Sequence, residues 1–192
     1  MKILFISLGC DKNLADSEEM LGLLTGNGHE IVDSEEEADA IVINTCCFIH
    51  DAKEESVNTI LEMAEYKKTG TCKILIVTGC MAQRYKEEIT EEIPEVDAVL
   101  GTTSYGDIVK ALNEAEAGHV FREFKDINAL PEDSGRRVIT TGGHFGYLKI
   151  AEGCDKHCTY CIIPSLRGKF RSVPEERLLK QAEYMASQGV RE

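Results

Sequence analysis

Lys73-Ile74-Leu75-Ile76-Val77-Thr78-Gly79-Cys80 decides the fold. Its apolar residues run without alternation, too briefly for a helix, between a lysine and a glycine. That is the pattern of a strand covered on both faces. Two earlier stretches repeat it: residues 2–8 lead into Gly9-Cys10, and residues 39–44 lead into Thr45-Cys46-Cys47. Further strands are expected at 96–100 and 30–32. Helical segments fill the intervals. Residues 14–25 follow Asp11 and Asn13 as caps and stop near Gly26 and Gly28, and residues 51–68 carry a stripe of Val57, Ile60, Leu61 and Ala64. Residues 81–92 stop before Pro94, and residues 105–117 precede Gly118. Strand and helix alternate throughout, which predicts a doubly wound parallel α/β domain over residues 1–120.

Residues 121–146, with Pro131, Gly135, Gly142 and Gly143, read as an interdomain linker. A new strand at 147–151 delivers the chain to Cys154. A helix then opens at Pro174-Glu175-Glu176, and another strand is due at Val190. A strand–loop–helix unit without a partner strand cannot bury itself. Residues 147–192 are therefore expected to be the start of a truncated second domain, and the chain a fragment.

The 192 residues are 43% hydrophobic, ordinary for a globular protein. No stretch approaches the ~18–20 apolar residues that span a bilayer, so no membrane association is expected. The first residues carry no signal-peptide pattern, and the expected compartment is the cytosol. With no export signal, eight cysteines favour metal ligation over disulfides. The net charge of −13 is unevenly spread: residues 1–135 carry −17 and residues 136–192 carry +4. An acidic domain repels nucleic acid and attracts basic surfaces, although plain solubility is the simpler use of such a charge.

Ligands of open parallel sheets sit outside the carboxyl ends of the strands. Cys10, Cys46 and Cys80 each follow a strand, so three thiols are expected on one rim, where they could jointly hold a metal with one coordination position open. Cys47 must point away from its neighbour and reads as a bystander, with a substitute ligand as the alternative, and Cys72, at the opposite end of its strand, reads as structural. A second trio lies in Cys154-Asp155-Lys156-His157-Cys158-Thr159-Tyr160-Cys161. A structural zinc site wants four protein ligands, and a cubane cluster has four irons to satisfy. Three thiols leave one iron open for a small molecule; the alternative is a zinc site that borrows His144 or His157.

Taken together, these motifs resemble the radical S-adenosylmethionine (SAM) methylthiotransferases over essentially the whole chain. The resemblance is carried by Leu8-Gly9-Cys10-Asp11-Lys12-Asn13 with Asp16-Ser17-Glu18, by Asn44-Thr45-Cys46-Cys47-Phe48-Ile49, by Gly79-Cys80-Met81-Ala82-Gln83-Arg84, and by the Cys154/Cys158/Cys161 run. Leu8-Gly9-Cys10-Asp11-Lys12-Asn13, Asp51-Ala52-Lys53-Glu54-Glu55-Ser56 and Ile162-Ile163-Pro164-Ser165-Leu166-Arg167-Gly168 are similar to the branch that modifies an aspartate of the twelfth small-subunit ribosomal protein. Cys47 and Asp11 depart from that branch, where Gly and Pro are usual, and neither departure removes a ligand. The alternative branch modifies tRNA adenosine. A non-catalytic iron–sulfur or zinc protein is the alternative of another class.

The resemblance implies an α/β first domain followed by the start of a radical SAM (β/α) barrel. It implies one 4Fe–4S cluster on Cys10, Cys46 and Cys80, carrying the sulfur to be inserted, and a second on Cys154, Cys158 and Cys161 whose open iron chelates SAM. Cleavage of SAM would give a radical able to take hydrogen from the aspartate β-carbon, which no side-chain base could deprotonate near neutral pH. Tyr160 is implied as an adenine contact, with a core aromatic as its alternative. Asn13, Asn44, Thr45 and Gln83 are candidate orienting groups, and each could equally be a cap or turn residue. Implied partners are the ribosomal protein or ribosome and an electron donor such as flavodoxin or ferredoxin. The acidic first domain fits a basic ribosomal protein better than tRNA. The basic run Arg167, Lys169 and Arg171 reads as a solvated or interdomain surface. Little turnover is expected from these residues alone.

Overall fold

A computed structural model describes residues 1–132 and 135–192. Residues 133 and 134 of the expected linker lie outside the described residues. The first part runs β1 (Lys2–Ser7), α1 (Asp11–Gly26), β2 (Glu30–Val32), β3 (Ala40–Thr45), α2 (His50–Thr69), β4 (Ile74–Gly79), α3 (Cys80–Arg84), α4 (Lys86–Glu92), β5 (Ala98–Leu100), α5 (Ile108–Glu116) and β6 (Phe121–Glu123). All six strands are parallel, in the order β2-β1-β3-β4-β5-β6. The strand order reverses between β1 and β3, where β1 pairs Ser7 with Asn44.

Period-two alternation explains why β3 and β4 are buried throughout. Ile41, Ile43, Leu75 and Val77 face one core, with Ile60 and Met63 of α2 and Met81 of α3. Ala40, Val42, Ile74 and Ile76 face the other, with Met20 and Leu24 of α1 and Ile108 and Leu112 of α5. Each large side chain buried this way contributes about 1.5–3 kcal/mol. The doubly wound parallel sheet of the sequence reading is the observed fold.

Details differ from expectation. The helix expected over 81–92 is two helices, because Tyr85 leaves helical geometry (φ −118°, ψ 36°) between them. That break re-aims α4 so that Ile89 and Ile93 enter the core. The helix expected from residue 105 opens with a 3-10 turn, Tyr105–Asp107. The sheet also continues past residue 120: β6 pairs with β5 through Ala98↔Phe121 and Leu100↔Glu123, and is too short to leave a pattern in the sequence.

The second part contains β7 (Ala151–Glu152), α6 (Ile163–Arg167), β8 (Arg171–Ser172) and α7 (Glu175–Ser187). The strand expected at 147–151 is reduced to β7, which pairs antiparallel with β8. No barrel is formed among the described residues. Residues 190–192 return to the chain through Arg191 N–H to His144 O, 2.9 Å, and Gly146 N–H to Glu192 O, 2.9 Å. No helix among the described residues is long and apolar enough to cross a membrane.

Candidate metal centre

Three adjacent strands, β1, β3 and β4, end on one rim, and each hands the chain to a cysteine. Cys10 precedes α1 and is exposed, Cys46 follows β3, and Cys80 opens α3. Both Cys46 and Cys80 are buried, each 6% exposed. Two glycines make this convergence possible. Gly9 (φ +98°) is so close to Cys46 that a Cβ there would lie 2.7 Å from the Cys46 Cβ. Gly79 (φ +93°) turns the chain from β4 into α3 with no room for a side chain: its Cβ would lie 2.3 Å from Asn44 Oδ1 and 2.5 Å from Thr45 O.

Asn13, fully buried in α1, laces the rim together. Its Nδ2 donates to Leu8 O at 2.9 Å and to Thr45 O at 3.0 Å, joining the ends of β1 and β3. Its Oδ1 faces the Cys80 sulfur at 3.7 Å. Asn44 Nδ2 donates to Asn13 O and Ser17 Oγ, both at 2.9 Å, and Thr45 Oγ1 donates to Thr78 O at 2.6 Å. Ser56 of α2 holds Cys46 from behind, accepting from its N–H at 3.0 Å and donating to its carbonyl at 2.8 Å. Gln83 acts elsewhere, accepting from Thr102 N–H at 3.1 Å.

Burial pushes the Cys80 thiol up, and the nearby Arg167 guanidinium opposes that shift. Cys47 is pushed up to about 11, first by burial and then by the neighbouring Cys80, and packs into the core. Cys72 is buried at the far end of β4 with its sulfur 3.3 Å from Ile74 O, and burial raises it too.

The second trio occupies the loop between β7 and α6. Cys158 is exposed, Cys154 and Cys161 are half-buried, and Lys156 N–H points at the Cys154 sulfur from 3.4 Å. The loop is tied at its base by Cys154 N–H to Gly168 O, 3.0 Å, and Phe170 N–H to Asp155 Oδ1, 2.9 Å. Tyr160 is 91% exposed among the described residues. His144 and His157 are both exposed.

The rim brings Cys10, Cys46 and Cys80 to one side of the sheet without drawing their sulfurs to ligating distance. Among the described residues no three His, Cys, Asp or Glu side chains form a metal-holding group, at either trio. The donor set nonetheless fits a soft, thiolate-bound centre. All eight cysteines are free, and at Gly9 there is space only for backbone against the Cys46 thiol.

The residues that sequence reasoning missed are those joining the two trios. Of the solvated and interdomain readings of the basic run, Arg167 takes the second, buried against α1: Nη1 donates to Asp16 Oδ2 at 2.6 Å and Nη2 to Asn13 Oδ1 at 2.5 Å. Lys149 Nζ pairs with Asp16 and lies 2.8 Å from Glu152 Oε1. Arg137 Nε donates to Glu18 Oε2 at 2.7 Å, and Thr140 donates to Glu18 Oε1. Lys169 of the same basic run stays exposed, and Arg171 donates to the carbonyls of Arg167 and Lys169.

A doubly wound sheet that sets a cysteine after each of three neighbouring strands, followed by a second cysteine-bearing loop, defines a thiol-rich protein of the α/β class. The chain belongs to the uncharacterized protein family UPF0004, whose model matches residues 2–101, from β1 through β5. It is 64% identical over 192 residues to the ribosomal protein uS12 methylthiotransferase RimO of Lachnoclostridium phytofermentans, covering all of this chain and 44% of that protein. The proteins of the same name from Clostridioides difficile and Acetivibrio thermocellus are 50% and 49% identical, again over all of this chain and 43% and 44% of their own lengths. The chain thus spans less than half the length of the curated relatives it matches.

Proposed function

We propose that this chain serves a radical SAM methylthiotransferase that modifies an aspartate of ribosomal protein uS12. The observation that carries this reading is the arrival of Cys10, Cys46 and Cys80 at the ends of β1, β3 and β4, interlaced through Asn13. The names of its relatives point to the same chemistry. Cys10, Cys46 and Cys80 would hold one 4Fe–4S cluster, and Cys154, Cys158 and Cys161 the other. When bound, the second cluster supplies the electron that cleaves SAM, and the first supplies the sulfur.

The chain's own residues orient and shield. Asn13, Ser56 and Thr45 fix the loops that bear the thiols, and burial of Cys46 and Cys80 keeps water from that side of the site. The exposed Tyr160 ring, beside Cys161, is free to cover the adenine of SAM. A ribosomal-protein substrate places the reaction in the cytoplasm, with a flavodoxin or ferredoxin as electron source.

The test is a chimera in which these 192 residues replace the matched part of the L. phytofermentans relative, assayed with uS12 and with tRNA. The expected product is methylthiolated uS12 aspartate and no modified tRNA adenosine. Modified tRNA would assign the chain to the other branch. No product on either substrate, with iron loaded, would favour a non-catalytic iron–sulfur protein.

A further inference from the structure

Arg167 belongs to α6, just beyond Cys161, yet its guanidinium lies inside the first cysteine rim. It is 4% exposed. Its backbone is fixed independently of that contact: Leu166 is buried in the core beside α3, and Thr102 Oγ1 donates to Leu166 O at 2.8 Å. From this anchor the planar fork reaches two acceptors on α1, Asp16 Oδ2 and Asn13 Oδ1. Asn13 Oδ1 is the atom that faces the Cys80 sulfur, and Cys80 is itself among the charge partners of the guanidinium. Asp16 is in turn held by Lys149, so the fork has a fixed counterpart. A guanidinium can serve two acceptors at once in fixed geometry, which an ammonium cannot reproduce.

We propose that Arg167 is a positioning residue of the first cysteine site: delivered by the segment bearing the second trio, it locks Asn13 and sets a positive charge against Cys80. The proposal rests on the reading that Cys10, Cys46 and Cys80 hold an iron–sulfur cluster. Its consequence is that docking of the second segment tunes the first centre. Reduction adds negative charge to a cluster, so a nearby cation raises its potential, as hydrogen bonds to its sulfurs also do.

The test uses the 192-residue chain with Cys154, Cys158 and Cys161 replaced by Ala, leaving the first rim as the site of any cluster. Arg167, Arg167→Lys and Arg167→Met are compared after anaerobic reconstitution, by iron content and by redox titration followed in visible absorbance. The native arginine is expected to give about four irons per chain. Arg167→Met is expected to shift the potential to more negative values, and Arg167→Lys to shift it less in the same direction. An unchanged potential in Arg167→Met with iron retained overturns the proposal. Where Arg167→Met does not fold or load, Arg167→Lys decides: a potential equal to the native one, or loss of iron from that variant too, overturns it. No iron with the native arginine removes the cluster reading itself, and the proposal with it.

Discussion

Cys80 stands where it does because Gly79 stands before it. At φ +93° the backbone is in a region that side chains rarely adopt, and Asn44 Oδ1 and Thr45 O occupy the space a Cβ would need. Gly79→Ala should therefore cost about 1–3 kcal/mol in backbone strain, with a further cost for displacing Asn44. It should lower the urea midpoint and weaken iron loading at the first rim; an unchanged midpoint with full loading would contradict this. At this scale the sequence was informative wherever a motif was local. Asn13, Asn44 and Thr45 stand out beside their cysteines, and all three tie the rim together. Arg167 did not, because its partners Asp16 and Asn13 lie 151 and 154 residues away along the chain. A lone Arg beside Lys169 reads as a solvated or an interdomain charge, and only the fold names its acceptors.

Among the elements, β1, β3 and β4 were legible because a strand buried on both faces has a distinctive short apolar run. The break at Tyr85 and the edge strand β6 were not, since both depend on what the neighbouring element offers. Helix α1 is the clearest case. Asn13, Asp16, Ser17, Glu18 and Glu19 are all buried on it, and a helix read alone gives no reason to bury three carboxylates. The reason lies outside the helix: Arg137 pairs with Glu18, Lys149 and Arg167 with Asp16, and Glu19 meets Arg177 of α7 and the Tyr105 hydroxyl. Buried pairs of this kind are held by completeness: removing one partner strands the other charge. Glu152 of β7 reports on the docking. Burial raises its carboxyl, but Lys149 and then Arg167 overcome this and leave it at about 2, below the ordinary value of 4.5. A depressed carboxyl stabilises the fold fully above about pH 4.5, and the contribution is lost as pH falls through about 2; the whole effect is on the order of 3 kcal/mol. Urea midpoints at about pH 6 and about pH 3 should fall further for the native chain than for Glu152→Gln. A parallel fall in both would show that Glu152 carries none of the pH dependence.

Over the whole molecule, the charge asymmetry takes on a second meaning. Residues 1–135 carry −17 and residues 136–192 carry +4, which from sequence suggested a basic partner. Part of that acidity is answered within the chain, where the basic second segment neutralises the carboxylates of α1. The same docking brings Arg167, from the segment that carries the second trio, to Asn13 and Asp16 beside the first. Both trios and the sheet that presents the first are legible in the residues, while the Arg167 bridge needs the fold. The central claim is that each trio holds its own cluster. Its most direct test is anaerobic reconstitution of the native chain and Cys80→Ala, followed by iron, sulfide and zinc analysis per chain. About eight irons in the native chain, falling to about four in Cys80→Ala, is the expected result. Iron unaffected by Cys80→Ala, or zinc in its place, would contradict it.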